Sequence, residues 1–102
     1  MEVKNTYFMQ TPGRNPSKDQ KMVEFADGGR QFISYGFLIA EVDQIGRVRL
    51  SEHWACSATT VSYLNRFLGL GGLGKKEIQG LVDSGVYAIR KGPAPVIRKK
   101  GA

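Results

Sequence analysis

The spacing of hydrophobic residues changes near Ser57, and this change constrains the fold more than any other feature of the chain. Residues 32–56 read FISYGFLIAEVDQIGRVRLSEHWAC, in which apolar and β-branched runs are separated by turn residues. Such runs predict strands. Residues 57–69 place Val61, Leu64 and Leu68 on one helical face, and Gly69 follows them. This pattern predicts an amphipathic helix of about three turns that ends at the glycine.

The flanking segments add strands and a second helix. We predict strands over residues 3–10, 21–26, 30–35, 37–42, 47–50 and 86–89, and a second helix over 75–83. Asp27-Gly28-Gly29 indicates a tight hairpin, and Gly36 indicates a bulge or bend between two strands. The predicted fold class is α+β, with an antiparallel meander of four to five strands packed on one face against two short helices.

One domain and a tail account for the 102 residues. Residues 1–89 form the predicted domain, in which residues 11–20 are a flexible loop rich in proline and polar residues. Residues 90–102 form a basic tail with two prolines. We expect six residues to meet in one core, because the strands and the first helix each offer a single apolar face. These residues are Ile39, Val48, Leu50, Trp54, Leu64 and Phe67.

The charge of the chain is concentrated in the tail. The formal net charge is +6. Residues 1–89 hold ten basic and nine acidic residues, whereas residues 90–102 hold five basic residues and no acidic one. The tail residues are Arg90, Lys91, Arg98, Lys99 and Lys100. Basic tails of this kind commonly contact nucleic-acid phosphates, and the alternative is a solubilising terminus.

A second basic feature lies on the predicted sheet. Arg47 and Arg49 alternate with apolar residues and so share one strand face, and Arg30 is expected nearby. Together with neighbouring aromatic rings they would form a surface for single strands or nucleotides. The candidate rings are Tyr35, Phe37, Trp54 and Tyr63. The alternative is a solvated sheet face whose charge Glu24 and Glu41 balance.

The residues with catalytic or metal-binding chemistry are too few for an enzyme site. The chain has one His and one Cys, His53 and Cys56, whereas a metal site needs three or four ligands and a nucleophilic thiol needs an oriented base. We therefore predict no metal, no cofactor and no catalytic residue, with Cys56 packed as a small apolar residue and His53 exposed. One cysteine also agrees with a reducing compartment.

Two segments resemble phosphate-binding elements. Ser57, Thr59 and Thr60 start the first helix, where hydroxyls and free amides could bind an anion or simply cap the helix. Gly69 and Gly74-Lys75 have the spacing of a Walker loop. In a Walker loop, however, the glycines follow a strand and the lysine precedes Ser or Thr. Here Lys76 follows and a helix comes first, which indicates a helix–helix connection.

Part of the chain resembles a group of small uncharacterised phage proteins. That group has a strand of the type S-Y-x-T-x-I-A followed by a helix start of the type W-Y-S-x-T-T. The corresponding residues, over about a third of this chain, are Ser34-Tyr35, Leu38-Ile39-Ala40, Trp54, Ser57, Thr59-Thr60 and Asn65-x-Phe67-Leu68. Phe37 and Tyr63-Leu64 depart from the pattern. The resemblance implies a phage or mobile-element origin and a small α+β fold, and it implies no activity.

These observations favour a non-enzymatic phage or mobile-element accessory protein that binds nucleic acid. The alternative is an anti-defence protein that inhibits a host immune factor or sequesters a signalling nucleotide. No apolar run approaches the roughly 18 residues of a membrane span, and the N-terminus lacks the pattern of a signal peptide. The expected location is the cytoplasm of the host cell. A meander also leaves an edge strand unpaired, through which two copies could form a homodimer.

Overall fold

Six strands form one sheet in the same order as along the chain. The computed structural model of the chain describes residues 2–9 and 18–90. In this part of the chain the elements are β1 (Val3–Phe8), β2 (Gln20–Phe25), β3 (Arg30–Ser34), β4 (Phe37–Val42), β5 (Val48–Ser51), α1 (Ala58–Leu68), α2 (Lys75–Asp83) and β6 (Ala88–Arg90). Strands β1 to β5 are an antiparallel meander, which confirms the predicted α+β class.

The hairpins of the meander depend on residues with positive φ. At the β2–β3 turn, Gly28 has a φ of 95° and the Phe25 N–H donates to Gly29 O at 2.9 Å. At the β3–β4 turn, Tyr35 and Gly36 both have positive φ, 52° and 84°, as in a two-residue type I′ hairpin. The prediction of a bulge or bend at Gly36 is therefore replaced by a tight turn.

The bulge of this sheet lies further along β4. The pairing of β3 with β4 shifts between Phe32 and Ile33, so that Phe32 pairs with Ala40 and Ile33 pairs with Leu38. Ile39 is the additional residue. It is fully buried in the same cluster as Phe32 and Ala40, because the bulge turns two consecutive side chains of β4 toward the helices.

The last strand joins the sheet in a different way from the others. After β5 the chain passes through α1 and α2, and β6 returns to pair with β5 in parallel, with Arg49 beside Ala88. An edge strand was predicted here, but the parallel pairing was not. The strand also extends to Arg90, one residue into the predicted tail. At the other end, β2 begins at Gln20, the last residue of the predicted loop.

The two helices end in the same way. Gly69 has a φ of 69° and donates to Arg66 O, while Leu70 N–H donates to Asn65 O at 2.9 Å. Gly85 has a φ of 84° and lies in the corresponding position after α2, where Val86 N–H donates to Leu81 O. Both are Schellman motifs, in which glycine adopts the left-handed conformation without steric cost. The predicted helix ends are thereby explained.

The core lies between the sheet and the helices. Phe32, Leu50, Leu64 and Ile78 have no exposed surface, and the Phe32 and Phe67 rings stack with centroids 5.7 Å apart. The predicted core is confirmed: five of its six residues are members of this cluster, and Val48 is half-buried against it. A smaller buried cluster consists of Val23, Ile33 and Leu38, with Phe25 packed against it. The strand register places these side chains on the face of the sheet that points away from the helices.

Asn65 organises the glycine-rich connection between the helices. Its side-chain amide donates to Val61 O and Leu73 O, at 3.0 and 2.7 Å, and its side-chain oxygen accepts from the N–H groups of Gly72 and Leu73. The hydrogen-bonding groups of this buried amide are therefore in use. Since Asn65 occupies two N–H groups of the connection, those groups are not available to a phosphate, in agreement with the predicted helix–helix connection.

Candidate functional site

The three domain arginines singled out by the sequence line one groove. We call it the arginine groove. It lies at the end of the sheet that carries the β2–β3 and β4–β5 turns, and its volume is about 370 Å³. Its lining residues include Phe25, Arg30, Gln31, Glu41, Asp43, Gln44, Arg47, Arg49 and Ala88. The lining is of mixed charge, because Glu41 and Asp43 are part of it together with the arginines.

Arg47 lies in the β4–β5 turn, where Asp43 holds it. Its Nε donates to Asp43 Oδ2 at 2.8 Å, and its backbone N–H donates to Asp43 Oδ1 at 2.9 Å. The Ile45 N–H also donates to Oδ1. The backbone N–H of Arg47 is the main cause that holds the pKa of Asp43 below its usual value. The Arg47 side chain remains 77% exposed, so its remaining donors face solvent.

Arg49 is held more loosely than Arg47. It lies directly opposite Glu41 in the β4–β5 ladder, and its guanidinium is 3.6 Å from Glu41 Oε1. This distance is that of an ion pair and is too long for a good hydrogen bond. Its side chain is 55% exposed. The carboxylates of Asp43 and Glu41 are half-buried, whereas both arginine side chains are exposed. A phosphate could therefore reach the solvent-facing donors of either arginine.

Arg30 has a different role from the other two. It pairs with Val42 on β4, and Val42 pairs with Val48 on β5, so its side chain belongs to the helix side of the sheet, opposite to Arg49. Its guanidinium lies 5.0 Å from the centroid of the Phe67 ring and donates to Phe67 O at 3.3 Å. This cation–π contact and the bond to a carbonyl near the end of α1 fix the helix against β3.

The aromatic residues predicted to flank the arginines do not do so. Trp54 and Tyr63 are buried in the core, because the helix side of the sheet needs their apolar area. Tyr35 and Phe37 are exposed, but they lie at the β3–β4 turn, at the opposite end of β4 from the groove. The aromatic residue of the groove is Phe25, at the end of β2.

A known protein family matches the part of the chain that contains every groove residue except Ala88. The family of unknown function DUF8033 matches residues 3–82. The chain belongs to this family. No curated protein and no solved structure matches it. The DUF8033 match includes β1 to β5, α1, all of α2 except its last residue, and Arg30, Arg47 and Arg49. It ends before β6 and the basic tail.

The DUF8033 match also contains the predicted anion-binding residues at the start of α1. Ser57 is the N-cap, and its Oγ accepts from Thr60 N–H at 3.0 Å. Thr60 is fully buried, and its Oγ1 lies 3.0 Å from Ser34 Oγ and 3.0 Å from Ser57 Oγ. Thr59 is exposed. The three hydroxyls therefore do not form one solvent-accessible site. Ser57 caps the helix, which is the alternative to anion binding.

The other residues that the sequence analysis considered are His53, Cys56 and the basic residues of the tail, and the first two do not line the arginine groove. His53 is exposed as predicted. Cys56 is exposed and not packed, because it lies in the turn before α1, with its Sγ 3.5 Å from Thr60 Oγ1. Four tail residues, Lys91, Arg98, Lys99 and Lys100, lie outside the described residues, and Arg90 is the last residue of β6.

Within the described ranges, no helix has the length and apolar content needed to cross a membrane. Over the same residues, no three His, Cys, Asp or Glu side chains come together in a group that could hold a metal ion.

Asp43 is a groove residue whose role the sequence analysis did not predict. The signal was present, since Asp43 begins a turn and Arg47 follows four residues later, ahead of a strand. An aspartate at the first position of a turn commonly accepts from backbone N–H groups two or more residues on. Its carboxylate here serves both the turn and the arginine.

Proposed function

We propose that this chain is a non-enzymatic accessory protein of a phage or another mobile element, and that it binds nucleic acid through the basic tail and the arginine groove. The observation that carries the proposal is the position of Arg47 and Arg49. Both are exposed, both line one groove, and each forms an ion pair with a half-buried carboxylate, Arg47 with Asp43 and Arg49 with Glu41. The phage origin is supported by the sequence resemblance.

The groove and the tail would act on the same ligand. Ala88 lines the groove and pairs with Arg49, and two residues later Arg90 ends β6. The basic tail therefore starts close to the groove. Contacts from arginine and lysine to phosphates position a nucleic acid and carry no sequence information by themselves. The expected activity is accordingly binding of single or double strands with little sequence preference and a strong dependence on salt.

The first prediction concerns a double variant that lacks the two exposed positive charges of the groove. Arg47→Gln combined with Arg49→Gln is expected to weaken binding to a labelled oligonucleotide. The slope of log affinity against log salt should become shallower by about 1.4 on single strands and about 1.8 on duplex, since two phosphate contacts are lost. Fluorescence anisotropy over a salt series measures both quantities.

The matched control is Arg66→Gln, which removes an exposed arginine of α1 that does not line the groove. It should leave the slope almost unchanged. Because the control removes one charge and the groove variant removes two, a change of slope half as large in the control would show that total charge and not the groove matters. If the unaltered protein binds neither DNA nor RNA at low salt, the proposal fails and the anti-defence alternative takes its place.

The second prediction is a gain of affinity. Asp43→Asn keeps a side-chain oxygen that accepts from the turn N–H groups, but removes the negative charge that competes with phosphate for Arg47. We expect affinity to rise several-fold at low salt, with a steeper salt slope. Asp83→Asn makes the same charge change on α2, where Asp83 accepts from Gln79, and should have a smaller effect. An equal gain in both variants would contradict competition at Arg47.

A further inference from the structure

Strand β1 presents an exposed sheet edge. It lies at one end of the strand order, and all six of its residues are exposed. Among them are Val3, Tyr7 and Phe8, which are 54%, 43% and 54% exposed. Sheet edges of natural proteins are usually covered or interrupted, since an open edge pairs readily with another strand.

Only the first part of the β1 edge is interrupted, by a bulge. The pairing of β1 with β2 shifts between Val3 and Asn5, which leaves Lys4 as a charged bulge residue. From Asn5 to Phe8 the pairing with β2 is regular, and this stretch contains neither charge nor proline. The open part of the edge is therefore residues 5–8, continued by Met9.

The hydrogen bonds to β2 identify which backbone groups face outward. Met9 N–H donates to Gln20 O at 2.7 Å, so Met9 is bonded to β2. In an antiparallel ladder the bonded residues alternate, which assigns Tyr7 and Asn5 to the same set. The N–H and C=O groups of Thr6 and Phe8 therefore point away from β2.

We propose that two copies of this chain form a symmetric dimer by antiparallel pairing of their β1 strands, with the two-fold axis at Tyr7. In this register Thr6 of each copy pairs with Phe8 of the other, so that the outward backbone groups of both residues are satisfied. A pairing centred on Thr6 would bring in the Lys4 bulge. The Tyr7 register instead uses only Asn5 to Met9.

The side chains suit this register. Thr6 would lie opposite Phe8 of the other copy, a β-branched residue against an aromatic one, and the two Tyr7 rings would be direct neighbours across the axis. Tyr7 is already oriented, because its hydroxyl donates to Glu24 Oε1 at 3.1 Å. No arginine of the groove lies on β1, so the dimer is independent of the proposed nucleic-acid binding.

The test is sedimentation velocity of the full chain over a concentration series. Thr6→Pro removes the outward N–H, and a proline on the open side of an edge strand leaves the ladder to the inner strand intact. The dissociation constant should rise at least about tenfold, because the lost bond occurs twice in a symmetric dimer. Thr6→Val keeps the N–H and the branched shape and should dimerise like the unaltered protein. A chain that stays monomeric at all concentrations, or a dimer that Thr6→Pro does not weaken, overturns the proposal.

A cross-linking experiment tests the register without relying on the fold of the proline variant. In a Cys56→Ser background, Tyr7→Cys places the two thiols at adjacent positions across the axis, where mild oxidation should give a disulfide-linked dimer. Asn5→Cys in the same background pairs with Met9 of the other copy and should cross-link far more slowly. Equal rates for the two variants would contradict the Tyr7 register.

Discussion

Leu64→Ala is expected to lower the free energy of unfolding by about 2–5 kcal/mol, the usual range for truncation of a buried leucine. Leu64 has no exposed surface, and it lies in the cluster that joins α1 to β3, β4 and β5. Removal of its side-chain carbons leaves a cavity that close-packed neighbours fill only in part. Denaturant unfolding at equilibrium measures the loss, with the fluorescence of Trp54, the single and buried tryptophan, as the signal.

Leu68→Ala is the matched control on the same helix. It removes the same atoms from a residue that is only half-buried, so its effect should be clearly smaller. A loss below about 0.5 kcal/mol in Leu64→Ala would be typical of a surface position and would contradict the packing of α1 on the sheet.

Neutralisation of the basic tail is expected to have the largest effect on nucleic-acid affinity. Replacing Lys91, Arg98, Lys99 and Lys100 by glutamine removes four charges without shortening the chain. If all four contact phosphates, their loss should reduce the salt slope by about 3.6 on duplex and about 2.8 on single strands. A tenfold rise in salt lowers the affinity of both proteins. The loss for the unaltered protein should exceed the loss for the neutralised protein by about three orders of magnitude.

The control for this prediction is a truncation after Arg90. Arg90 is kept because it belongs to β6, where it pairs with Ser51 of β5. Truncation and neutralisation should weaken binding equally if charge is the cause, and a thermal melt of each variant checks that the domain stays folded. Undiminished binding by both variants would leave the arginine groove as the site and the tail as a solubilising segment.

The sequence predicted those parts of the fold that depend on local interactions. β4 and α2 have the predicted limits. Turn residues bound the apolar run of β4, and α2 has Gly74 just before its start and Gly85 shortly after its end. The sequence predicts a bulge or bend at Gly36, because a glycine between two strands is compatible with a bulge, a bend or a tight turn. The choice depends on the preceding Tyr35 and its positive φ, which its residue type does not predict.

The parts that could not be predicted depend on the pairing of distant segments. Strand alternation predicts the sheet face of Arg49, but Arg47 lies in the turn before β5 and outside the strand in which it was predicted. Alternation also does not reveal that Arg30 lies on the helix side of the sheet and packs on Phe67, 37 residues later. The same limit applies to the aromatic residues. Trp54 and Tyr63 suit a stacking surface and a core equally well, and only the docking of α1 decides between them.

The parallel pairing of β6 has a consequence for the order in which the chain folds and opens. Each neighbouring pair among β2 to β5 is joined by a short turn, whereas Arg49 and Ala88 are 39 residues apart. Closure of so long a segment is entropically costly and becomes favourable once the intervening helices are in place. A three-residue edge strand that is added last is also expected to open first, so that its amide hydrogens exchange through a local opening rather than global unfolding. Each such opening would uncover the second edge of β5 and withdraw Ala88 from the wall of the arginine groove.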